Sequence, residues 1–123
     1  MDSQIEKLIE RIIYLPKEYE NVNKSTISIV QESGYFELYN KINEEQIAAM
    51  LQNHPQTIEN WLQWSEDKRS GGWYFTKGGE NEYGVGYYPD YNFDFMDFSD
   101  KFKACAAYII REIEMIRLYQ TKS

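Results

Sequence analysis

Ile5, Leu8, Ile9, Ile12 and Ile13 recur at the spacing of one helix face, and Glu6, Lys7, Glu10 and Arg11 fill the opposite side. The pattern predicts an amphipathic helix that stops at Leu15, because Pro16 disfavours helical backbone in the residue before it. Lys17 to Lys24 then reads as a polar connection. Ser25 or Thr26 begins a short second segment running to Glu32, for which a helix is expected, while the β-branched Ile27, Ile29 and Val30 leave a strand open. Gly34 interrupts the pattern, and Tyr35, Phe36, Leu38 and Tyr39 form an apolar segment whose period decides nothing. Asn43 with Gln46 three residues on has the form of a capping box ahead of Ile47, Ala48, Met50 and Leu51, which predicts a helix from Glu44 to about Asn53. His54-Pro55 breaks that helix and Pro55 opens another, with Ile58, Trp61, Leu62 and Trp64 or Ser65 on its apolar side. Lys68 and Arg69 fall in its last turn and Gly71-Gly72 ends it.

From Trp73 the texture changes to β-prone aromatics broken by glycine. WYFTK, GGENE and YGVGYY in succession are a hairpin signal. Tyr91, Phe93 and Phe95 alternate with Asn92 and Asp94, so a third short strand is expected between Asp90 and Asp97. Ser99 is placed to cap a long final helix whose buried stripe is Phe102, Cys105, Ala106, Ile109, Ile113 and Ile116. Ile110, Met115 and Leu118 widen the stripe and predict contact with two neighbours. Helices first, a small antiparallel sheet next and a closing helix make an α+β fold, and 123 residues suit one domain.

Apolar residues at 42% and aromatics at 16% supply a core and argue against disorder. No apolar stretch reaches membrane-spanning length, and the N-terminus lacks the marks of a secretory signal. Cys105 is the single cysteine, so no internal disulfide is expected, and a reducing, cytoplasmic setting fits. A net charge of -7 opposes phosphate-neutralising nucleic-acid binding and favours a basic partner.

Catalytic chemistry finds little to work with. His54, the one histidine, sits between two predicted helices and reads as a cap or hinge. Cys105 lies on a core face, where a thiol packs as a small apolar group and ionises poorly. One cysteine and one histidine cannot assemble a zinc site, and no phosphate-cradling glycine motif opens a helix. Asp90, Asn92 and Asp94 match the first alternating ligands of a calcium loop, but Phe95 stands where its glycine belongs and Lys101 where its bidentate glutamate belongs. No metal, cofactor or catalytic set is therefore expected. Twenty acidic residues offer many carboxylate pairs, and nothing distinguishes one of them.

What stands out is the distribution of charge. Gly78 to Asp100 holds six acids, Glu80, Glu82, Asp90, Asp94, Asp97 and Asp100, and no Lys or Arg, so this window carries nearly the whole net charge. It is also rich in Tyr and Phe. Rigid aromatic area beside carboxylates suits recognition of a basic surface, and Glu80, Glu82, Tyr87, Tyr88, Asp90, Tyr91, Asp94 and Asp97 are the expected partner-binding residues. The competing expectation is a sheet that turns its aromatics inward and its acids to water.

The stretch WLQWSEDKRSGGWYF, followed by the aromatic hairpin and the final amphipathic helix, resembles small bacterial proteins of the polymorphic-toxin immunity type, mainly over residues 61–120. The resemblance implies a protein that binds a cognate toxin domain, often a basic nuclease, and occludes it. It carries no catalytic residues across. An immunity or inhibitor protein without enzymatic activity, binding a protein and neither nucleic acid nor membrane, is the leading expectation. A small acidic adaptor or DNA mimic and a small carboxylate-dependent hydrolase are the alternatives.

Overall fold

A computed structural model describes residues 3–67, 72–88 and 95–122. The first helix, α1 (Ser3–Ile13), buries the five apolar positions of the stripe. Pro16 does not end the helical stretch as expected. The second helix, α2 (Leu15–Asn21), starts after a break at Tyr14 and holds the proline in its first turn, where no intrahelical N–H bond is needed. Lys17 to Asn21 is thus helix rather than polar connection. Trp61 fastens the break: its Nε1 donates to the Ile13 carbonyl at 3.0 Å, at an end where helical carbonyls lack partners. Across the same break Arg11 grips both Glu18 oxygens, at 3.1 and 3.0 Å, and donates from Nη1 to the Glu32 carbonyl at 3.0 Å.

The segment left open between helix and strand is helix α3 (Thr26–Ser33), capped by Ser25 Oγ, which accepts from Ser28 N at 3.2 Å. Gly34 takes φ 96°, a left-handed conformation suited to glycine, and turns the chain into α4 (Tyr35–Leu38) and a 3-10 turn over Tyr39–Lys41. Helix α5 (Glu44–Asn53) opens on the expected capping box: Gln46 N donates to Asn43 Oδ1 at 2.9 Å and Asn43 N donates to Gln46 Oε1 at 2.8 Å. Helix α6 (Thr57–Asp67) buries Thr57, Ile58, Trp61 and Ser65. Lys68, Arg69 and Gly71 lie outside the described residues.

Strands β1 (Gly72–Lys77), β2 (Tyr83–Tyr88) and β3 (Met96–Phe98) form an antiparallel sheet in that order. The hairpin is as expected; the third strand lies at Met96–Phe98 rather than centring on 90–97, of which residues 90–94 are outside the described set. Phe75 N donates to Ser65 Oγ at 2.7 Å, so α6 covers the β1 backbone on the side away from β2.

Helix α7 (Lys101–Lys122) is capped by Asp100, not Ser99: Asp100 Oδ1 accepts from Phe102 N at 2.8 Å and Lys103 N at 3.3 Å. Its burial is wider than one stripe. Ala104 to Ile109 are all buried, with Glu112 and Ile113 beyond them, because α3, α5, α6 and the sheet surround it. The expectation of two neighbours was too few. Farther along, Tyr35 donates to Glu114 Oε1 at 2.7 Å, Arg117 grips both Glu114 oxygens at 2.7 and 2.9 Å, and the Arg117 guanidinium lies over the Tyr39 ring at 3.6 Å.

Candidate functional site

The strand register divides the hairpin residues between two faces. Trp73 pairs with Tyr87, Phe75 with Val85, Lys77 with Tyr83 and Tyr83 with Phe98. These positions face inward, where Phe75 stacks at 5.7 Å on Tyr108 of α7 and Tyr87 packs edge-on to Trp73 at 5.3 Å. The other parity, Tyr74, Thr76, Gly84, Gly86, Tyr88 and Asp97, faces outward. Tyr87 and Tyr88, expected together at one surface, are on opposite faces: Tyr87 is half-buried and Tyr88 is 47% exposed.

The outward face is built on the two glycines of YGVGYY. A Cβ added at Gly86 would stand 2.4 Å from the Tyr74 hydroxyl oxygen, and one at Gly84 would stand 3.0 Å from Phe95 Cζ and 3.1 Å from Thr76 Oγ1. The missing side chains let two aromatic rings lie directly on the strand. Phe95 is 44% exposed. Tyr74 and Phe95 were absent from the expected contact set, although glycines two apart on a strand signal a close approach on one face.

The acids of the window separate by role. Glu80 and Asp97 are exposed, the first in the hairpin turn and the second on β3 opposite Gly84. Glu82 is exposed but serves the turn, accepting from Gly79 N at 3.4 Å through Oε2 while its backbone carbonyl accepts from Gly78 N at 2.8 Å. Asn81 takes φ 60° at the same turn. Asp100 is occupied by its capping bonds. Asp90, Tyr91 and Asp94, with the calcium-loop pattern they belong to, lie outside the described residues.

No protein family, curated protein or solved structure matches the chain in comparison.

The residues considered for catalysis are held by the fold. His54 ends α5, and its Nδ1 lies 2.8 Å from the Tyr14 hydroxyl, which also accepts from Gln56 Nε2 at 3.0 Å. Cys105 is fully buried, and burial pushes its thiol well above the ordinary value, toward the unreactive form. Among the described residues no three of His, Cys, Asp and Glu converge to hold a metal ion, and no helix is long and apolar enough to cross a membrane.

Proposed function

We propose that this chain is an immunity-type binding protein that neutralises a basic bacterial toxin domain by occlusion, using the outward face of its sheet and the adjoining hairpin turn. The observation that carries the reading is the composition of that face. Phe95 is exposed beside Asp97 toward the hairpin turn, whose Glu80 and Glu82 are also exposed, and Tyr88 is exposed at the other end of β2, in a sequence window with no Lys or Arg. Aromatic side chains supply contact area at low entropic cost, and carboxylates steer a cationic partner and set the register of contact. The resemblance of residues 61–120 to immunity proteins points to the same kind of partner.

The test begins with the protein encoded beside this one, assayed for toxicity and for binding to the purified chain. Glu80→Lys with Asp97→Lys is expected to slow association several-fold at low salt, with the difference shrinking as salt is added. Tyr88→Ala is expected to speed dissociation. Association and dissociation rates unchanged in all three substitutions, in a complex that still forms, would remove this face from the interface. A neighbouring product that neither poisons cells nor binds the chain overturns the toxin reading itself.

A further inference from the structure

On the helical side of the molecule, a cavity of about 340 Å³ opens between α2, α3, α6 and α7. Its walls include Tyr19 and Trp64, whose rings meet edge-on at 5.5 Å, and the apolar side chains of Met115 and Ile116. Three carboxyl side chains, Glu20, Asp67 and Glu112, line it, and no Lys or Arg is among its described lining residues. Trp64 is fixed in place: its Nε1 donates to Glu112 Oε2 at 2.8 Å, and the same oxygen accepts from the Tyr108 hydroxyl at 3.2 Å. Glu112 is only 2% exposed, whereas Glu20 and Asp67 stand exposed toward the opening, as does Tyr19 at 45%.

We infer that this cavity receives an arginine side chain presented by a protein partner. Its volume lies at the small end of ligand pockets and leaves room for an arginine side chain. A planar guanidinium is matched by an aromatic wall for its face and carboxylates for its edge, and its three-carbon stem is matched by the apolar lining. Free arginine is disfavoured, since its strongly hydrated zwitterionic end would have to lie at the rim, its carboxylate beside Glu20 and Asp67. In a peptide that charge is gone and the backbone stays outside. The cavity is lined by helices alone, so the inference is independent of the sheet face proposed above as the toxin contact.

The experiment titrates N-acetyl-argininamide into the full chain, following tryptophan fluorescence and the Trp64 indole N–H, assigned through Trp64→Phe. A saturable response with a millimolar dissociation constant is expected. Glu20→Gln with Asp67→Asn, both exposed and verified as folded by circular dichroism, should weaken it at least about fivefold. N-acetyl-citrullinamide, N-acetyl-lysinamide and free arginine should each bind more weakly than the probe. No saturable response, equal binding of the uncharged citrulline analogue or of the lysine analogue, or an unmoved affinity in the double variant overturns the arginine assignment. Equal binding of free arginine overturns the protein-borne source.

Discussion

With the Tyr74 hydroxyl 2.4 Å from where a Cβ at Gly86 would stand, alanine there must displace the ring. Gly86→Ala is expected to cost about 1–3 kcal/mol, as overpacking of a close contact does. A double-mutant cycle with Tyr74→Ser, followed by urea denaturation, should show the two costs to be less than additive. Additive costs would mean that the ring is not what the glycine accommodates. Trp61 makes the complementary point about polar groups. Trp61→Phe keeps most of the buried ring but leaves the Ile13 carbonyl without its donor, for a loss of about 1–3 kcal/mol. A loss no larger than that of a surface substitution would show that the carbonyl finds another donor.

At the scale of elements, capping separates charge from structure. Asp100→Ala should cost about 1 kcal/mol, while Asp100→Asn, which keeps a good capping oxygen and removes the charge, should be nearly neutral in thermal unfolding. Equal losses in both would assign the effect to charge. The elements legible from sequence were those with local instructions. The Asn43–Gln46 capping box marked the start of α5, and the hydrophobic stripe of α1 and the glycine-punctuated hairpin were equally plain. Errors came where tertiary partners decide. Pro16 permits a new helix as readily as it ends an old one, and the choice rests on Trp61 and Arg11 binding across the break. Ser99 and Asp100 are both good caps, and adjacent candidates cannot be ranked without geometry. The acids and aromatics of residues 78–100 were visible as a composition. Their division between faces was not, because it depends on register and on which glycine lies beneath which ring.

For the molecule as a whole, the cluster joining α4 to α7 contributes to the response to pH at both ends. The Arg117 fork, and after it the Tyr35 hydroxyl, hold Glu114 below the ordinary carboxylate value of 4.5. A lowered folded value contributes stability that is present above the ordinary value and is lost as the pH falls through the lowered one. Burial first, and then the bond to Glu114, raise Tyr35 far above its ordinary 10.0, so its contribution is present below that value and declines as the pH climbs past it. Stability measured by denaturant across pH should therefore fall at both ends. Glu114→Gln should flatten the acid limb at a cost below about 1 kcal/mol at neutral pH, since the pair is partly exposed. An acid limb unchanged in that variant would place the acid sensitivity elsewhere.

The central position of α7 also bears on how the chain is born. This helix is synthesised after every element it organises, and Trp61, Phe75 and Tyr35 all find partners on it. Until Ile113 has left the ribosome, α3 and α5 have α1 and α2 to pack upon and the sheet has α6, but the apolar faces that α7 covers stay open. Nascent chains arrested at Phe98 should be digested by protease as readily as an unfolded polypeptide, and protection should arrive abruptly with the emergence of α7 rather than accumulate helix by helix.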